Sequence, residues 1–212
     1  MKVELRNVLP EDIEKRSFEI IGQELGDISL DPKEEPIIKR VIHTTADFEY
    51  VKNLKFSKDA VEKGMEALKK GAVIVSDTQM VRAGINKATL EVLGGEALCF
   101  MSDEDVSETA RANGTTRATA SMDKAAKLDR PTIFAIGNAP TALVRLYELI
   151  KEGLLKPELI IGVPVGFVNV VESKELIMEL DIPYIVAKGR KGGSNVAAAI
   201  CNAMLYQCKP RE

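Results

Sequence analysis

Residues 131–163 read PTIFAIGNAPTALVRLYELIKEGLLKPELIIGV. Thr132–Ile136 and Leu159–Val163 are apolar nearly throughout, on both faces of an extended chain. Between them Pro140 opens a stretch to Ile150 whose apolar residues recur at helical spacing. Runs of this kind need cover on both sides, as strands of a parallel sheet have. Ala72–Ser76 (AVIVS), Ala97–Met101 (ALCFM) and Tyr184–Ala187 (YIVA) repeat the pattern, with helical stretches such as Ser173–Leu180 between them. The alternation predicts an α/β fold: a three-layer αβα arrangement around a five-stranded, mostly parallel sheet with right-handed crossovers.

Three helical segments precede the first strand and form a helical N-terminal segment. Pro10 opens the first, Glu11–Leu25, with Phe18, Ile21 and Leu25 on one face and Gly26 closing it. Asp31 and Pro32 read as the cap and first helical residue ahead of Ile37, Ile38, Val41 and Ile42. Ser57 reads as the cap of a third segment, striped by Val61, Gly64, Met65 and Leu68 and stopped by Gly71. With no repeat, low-complexity tract or long linker, residues 1–212 read as a single domain.

The 212 residues are 45% hydrophobic, enough for a substantial core, and 29% charged with a formal net charge of -3. A general nucleic-acid binder would show a basic excess, so no nucleic-acid partner is expected. The opening MKVELRNVLPEDIEKR lacks the apolar stretch of a signal peptide. No apolar run approaches the roughly 20 residues that span a bilayer. Cys99, Cys201 and Cys208 lack the even spacing of a disulfide framework. A cytoplasmic protein without a membrane partner is the expectation.

Ligands of open parallel sheets bind beyond the carboxyl ends of the strands. There the sequence places Ser76-Asp77-Thr78-Gln79, Ser102-Asp103, Gly137-Asn138, Pro164-Val165-Gly166 and Lys188–Asn195. His43 is the only histidine, which rules out a histidine-rich metal site. It falls near the end of the second helical segment, where the helix dipole favours an imidazolium and burial would act the other way. A surface histidine at a helix end fits these residues equally well. Asp47, four residues on, reads as a solvated carboxylate or as a partner that orients the imidazole.

The segment ARANGTTRATASM sets Arg111 and Arg117 around an Asn113-Gly114 turn, a possible carboxylate or phosphate receptor. An ordinary helix end followed by a threonine cap is the plainer reading. Arg82 follows the first strand and could reach the same mouth. The loop AKGRKGGSN could hold an anion at a helix start, or be a solvated turn; its spacing matches neither nucleotide-binding glycine pattern.

Taken together, VIHTTADFEY, SDTQMVRAGI, ARANGTTRATASM, GNAPTALVRL, GVPVGFVNVVESKE and AKGRKGGSNVAAAI resemble the precorrin-8X methylmutase family, named cobalt-precorrin-8 methylmutase in the anaerobic pathway. The resemblance runs from EKRSFEII to GGSNVAAAICNAML, almost the whole chain. It implies a cytoplasmic isomerase of cobalamin biosynthesis that moves a methyl group from ring carbon 11 to ring carbon 12 of a tetrapyrrole. It implies no cofactor, a homodimer, and His43 as the acid. Ser17, Thr78, Arg82, Arg111, Asn113, Gly114, Arg117, Gly189, Gly192 and Asn195 become candidates for binding a macrocycle fringed with carboxylates. A non-catalytic tetrapyrrole carrier, or a nucleotide-dependent transferase using the glycine-rich loop, are the rival readings.

Overall fold

A computed structural model describes residues 9–210, apart from the side chain of Glu11. The first eight residues, part of the stretch read above as lacking a signal peptide, lie outside the described residues. The sheet has six strands, not five. They are β1 (Leu54–Phe56), β2 (Val73–Ser76), β3 (Ala97–Leu98), β4 (Thr132–Ile136), β5 (Leu159–Gly162) and β6 (Tyr184–Ala187), in the order β1-β6-β5-β4-β2-β3. All neighbours are parallel except β1, which pairs antiparallel with β6 through Leu54↔Ala187 and Phe56↔Ile185. Of the three residues of β1 only Leu54 is buried, so this edge strand carries no apolar run to announce it. β3 is shorter than ALCFM suggested. Past Leu98 the chain turns away, and the Leu98 carbonyl accepts the Ser76 hydroxyl at 3.1 Å.

The three-layer arrangement holds, and strand alternation builds it. Ile74, Ile133, Ala135, Leu159, Ile161, Ile185 and Ala187 point into one apolar core. Val73, Val75, Phe134, Ile136, Ile160 and Val186 point into the other. The first core is covered by helix α1 (Ile13–Leu25), helix α2 (Glu35–Thr45), helix Ala60–Lys69 and the C-terminal helix Ser194–Cys208. Helices Arg117–Ala125, Pro140–Lys151 and Val170–Met178 cover the second.

Three helix starts differ from the sequence reading. Asp31 caps a turn rather than α2: its side chain accepts from Lys33 N at 2.8 Å, and α2 begins at Glu35 with Pro36 in its first turn. The Ser57 hydroxyl accepts from Tyr184 N at 2.9 Å, tying β6 to the chain after β1, while the helix itself starts at Ala60. The helix expected from Ser173 begins at Val170; the Ser173 hydroxyl donates to the Val170 carbonyl within it.

β2 sends the chain to β3 on one side, and β4 lies on the other, so the crevice of this sheet opens between β2 and β4. The protein fills that crevice itself. Asp77, fully buried, accepts Gly137 N at 2.9 Å on one carboxylate oxygen, and Asn138 N and Ala139 N at 2.8 and 2.6 Å on the other. Burial pushes the Asp77 carboxyl above its ordinary value, and the three N–H donors pull against that. A side chain at Gly137 would meet Ser194 Cα at 2.7 Å, so glycine there lets the C-terminal helix start directly against the β4 turn.

Candidate functional site

In α2 the buried stripe of Ile37, Ile38, Val41 and Ile42 packs inward, which leaves the last turn at the edge of the helical layer. His43 stands in that turn, exposed. Its ring stacks on Phe18 of α1, centroids 5.2 Å apart and planes 19° apart. Neither imidazole nitrogen has a hydrogen-bond partner among the described residues. Arg40, one turn back, places its guanidinium 4.7 Å from the Phe18 centroid and 5.1 Å from that of Tyr206, and pairs with Glu14.

His43 borders two clefts. One, of about 410 Å³, is lined by Ser17, Ile20, Glu24, Ala46 and Phe48. The other, of about 270 Å³, is lined by Arg40, Thr44, Gly84, Asn195, Asn202 and Tyr206. Two of the predicted ligand residues, Ser17 and Asn195, therefore share a cleft with His43. The Ser17 hydroxyl donates to the Ile13 carbonyl at 2.8 Å. Thr78 caps helix Gln79–Gly84 by accepting from Val81 N at 3.1 Å, and its hydroxyl lies 2.9 Å from that of Ser194, beside Asn195.

Other predicted residues lie elsewhere on the surface. Arg82 donates to the Ala97 carbonyl at 3.0 Å and lines a small cleft with Lys87, Glu91 and Glu96, separate from the two that His43 borders. Residues 111–117 are exposed without interruption. Arg111 lies in the last turn of helix Glu104–Ala112, Gly114 turns the chain at φ 62°, and Arg117 begins the next helix behind its Thr116 cap. Neither Arg111 nor Arg117 has an ion-pair partner among the described residues. Asp47 makes no hydrogen bond or ion pair with His43 among the described residues. It binds Lys191 at 2.6 Å, which holds its carboxyl below the ordinary carboxylate range.

The glycine-rich loop is ordered by contacts from below. A side chain at Gly192 would lie 2.1 Å from the Val163 carbonyl oxygen, and Gly193 N donates to that oxygen at 2.8 Å. Gly189 has φ 85° and open space at its Cβ position. Arg190 sits over the ring of Phe167, 5.4 Å from its centroid, and Phe167 and Val168 are 81% and 78% exposed.

A sequence model of the precorrin-8X methylmutase family matches residues 12–207. The chain belongs to the precorrin-8X methylmutase family. It is thereby an isomerase of cobalamin biosynthesis. The cobalt-precorrin-8 methylmutase of Priestia megaterium is 50% identical over 93% of this chain and 88% of that protein. That of Salmonella typhimurium is 46% identical over 94% and 96%. A solved structure of the precorrin-8x methyl mutase from Thermus thermophilus superposes with TM-score 0.84 at 41% identity, covering 93% of this chain and 97% of that one.

Within this methylmutase fold, sequence reasoning passed over Arg40, Phe18 and Tyr206, which surround His43. Arg40 lies one turn before His43 beside the buried stripe, a spacing that places both on one face. Phe18 read only as a core residue, and no local signal brings Tyr206 next to α2. The three cysteines are unpaired, as their spacing suggested, and burial pushes the Cys201 thiol up to about 12. Among the described residues no cluster of histidine, cysteine and carboxylate side chains could hold a metal ion, and no helix is long and apolar enough to cross a membrane.

Proposed function

We propose that this chain, as a single catalytic domain, converts cobalt-precorrin-8 by moving a methyl group from ring carbon 11 to ring carbon 12, with His43 as general acid. The observation that carries this reading is the setting of the one histidine. It is exposed and bounded by two clefts, with both ring nitrogens unengaged by the described residues and the ring plane fixed by Phe18. Both nitrogens of such a ring are open to a ligand and not committed to the protein.

In the shift the bond from the methyl to carbon 11 breaks as the bond to carbon 12 forms. The conjugated electrons redistribute, and no atom is gained or lost, so no methyl donor or other cofactor enters the balance. His43 lends its proton to a ring nitrogen near the migrating group, favours the rearranged chromophore, and takes the proton back from that nitrogen as the product forms, so the isomerisation has no net proton change. Such assistance contributes roughly 10²- to 10⁴-fold, about 3–5 kcal/mol of barrier. Positioning supplies the rest. The unpaired Arg111 and Arg117, the Asn113-Gly114 turn, and Ser17, Thr78, Asn195, Gly189 and Gly192 are assigned to the carboxylate fringe of the macrocycle, with Arg82 serving at its outer edge. The cobalt-containing substrate is favoured by the names of the relatives quoted above.

The catalytic unit is a homodimer. A macrocycle is broader than either cleft, His43 is exposed in one chain, and the arginine-bearing segment is exposed as well. Each is the condition of a site walled by two copies. The three unpaired cysteines fit a reducing cytoplasm.

The test is a visible spectrum of purified protein mixed with cobalt-precorrin-8 alone. A spectral change at catalytic protein concentration supports the reading. Binding without chromophore change identifies a tetrapyrrole carrier instead.

A further inference from the structure

The loop Lys188–Gly193 is tied to the chain just past His43, and one buried side chain holds it in place. Lys174, in helix Val170–Met178, is fully buried and has no carboxylate partner among the described residues. Its Nζ donates to the carbonyls of Gly189 at 2.7 Å and Lys191 at 2.9 Å. The carbonyl between them, of Arg190, accepts from Gly166 N at 3.2 Å. Three successive carbonyls of the loop are thus engaged, two of them by the buried ammonium. The Arg190 side chain is left outside over Phe167, and Lys191 is left to reach the other way. Lys191 binds Asp47 at 2.6 Å and Glu49 at 2.8 Å, just past the end of α2 and a few residues beyond His43. Those two carboxylates hold the Lys191 ammonium well above its ordinary value. At the loop's start, Lys188 N donates to the Asn53 carbonyl at 2.8 Å, a second tie to the same segment.

Burying a lysine without a counter-charge is costly, and a surface turn has no need of it. A reason lies in what the loop joins. We propose that Lys174 is a positioning residue of the methyl shift, holding the glycine-rich loop so that it presents Gly189 and Arg190 to the macrocycle and fixes, through Lys191, the chain that follows His43. The proposal rests on the catalytic reading above. Its reach runs from helix Val170–Met178 to the end of α2, across β6 and its loop.

Two measurements separate the proposal from that reading. Hydrogen exchange needs no substrate: in Lys174→Met, amides of residues 188–193 and also of residues 46–50 are expected to exchange faster, while those of β2 and β4 keep their protection. Turnover by the dimeric protein is expected to show KM raised by about 10- to 100-fold, with Lys174→Gln, one atom shorter but carrying two N–H donors, recovering part of the loss. Lys191→Met, a change at the surface, is expected to reproduce the faster exchange at 46–50 without that at 188–193. Should Lys174→Met not fold, the Gln and Lys191 variants carry the test. Exchange that quickens only within helix 170–178, or KM unchanged in a folded variant whose wild type turns over, overturns the proposal. Wild-type protein inert toward cobalt-precorrin-8 overturns the catalytic reading and leaves the exchange result standing.

Discussion

Asp77→Asn probes how the carboxyl ends of the strands are held. The carboxylate accepts three backbone N–H groups, and the replacing amide has one oxygen. With that oxygen in place of the one serving Asn138 and Ala139, the new NH₂ group faces Gly137 N, donor against donor. The flipped amide would strand two N–H groups, so the first orientation prevails. A bond to a charged acceptor contributes roughly 1.5–3 kcal/mol, and a buried donor left unpaired costs about 1–3 kcal/mol. The same burial that pushes the Asp77 carboxyl upward is relieved by a neutral amide, which offsets part of this loss. The net expectation is a destabilisation of about 2–4 kcal/mol. For a chain of this size that lowers Tm by roughly 5–15 °C. Urea unfolding followed by circular dichroism measures it, and the slope with denaturant should be unchanged. Hydrogen exchange should quicken at residues 137–139 and at the start of the C-terminal helix, which packs against Gly137. A loss below about 0.5 kcal/mol, within the range of an ordinary surface change, would refute the reasoning.

Arg111→Ala and Arg117→Ala each remove an exposed, unpaired cation, so folding stability should stay within about 0.5 kcal/mol while product affinity falls by roughly 10-fold or more; absorbance titration with product reads this, and unchanged affinity removes the segment from the site. Gly192→Ala places a methyl carbon 2.1 Å from the Val163 carbonyl oxygen, at a φ of 157°; denaturant unfolding should show a loss of about 2–3 kcal/mol, and a neutral result would show the loop free to move aside. Burial pushes Lys174 down to about 8 from 10.5. Between those values the unfolded chain binds more protons than the folded one, so the stability tied to this side chain is full above 10.5 and is lost as pH falls through 8. The Tm of wild type relative to Lys174→Met should therefore rise from pH 8 to 10.5 in scanning fluorimetry; a difference independent of pH contradicts the burial.

The sheet was largely legible because its inner strands are apolar on both faces, a pattern that TIFAI and LIIGV carry locally. β1 was not, since LKF at an edge buries one side chain and borrows its order from β6. Helix starts moved for a similar reason: the Ser57 hydroxyl is engaged by Tyr184, 127 residues away, and cannot be read from its neighbours. Ser17 and Asn195, singled out with His43, each line one of the two clefts that His43 borders. Arg82 was placed at the site by its position after β2; its guanidinium donates to the Ala97 carbonyl, a partner that its neighbours in sequence do not announce. Lys174 reads as an ordinary helix lysine and Asp77 as one more polar residue after a strand. Their burial is decided by Gly189, Lys191 and the β4 turn, partners 15 to 62 residues distant.

A direct comparison of His43→Ala with wild type, in turnover of cobalt-precorrin-8 and in affinity for the product, bears most closely on the account. Turnover lowered by about 10²- to 10⁴-fold with affinity nearly kept is the result expected of a proton donor. Equal turnover by the two proteins would contradict it.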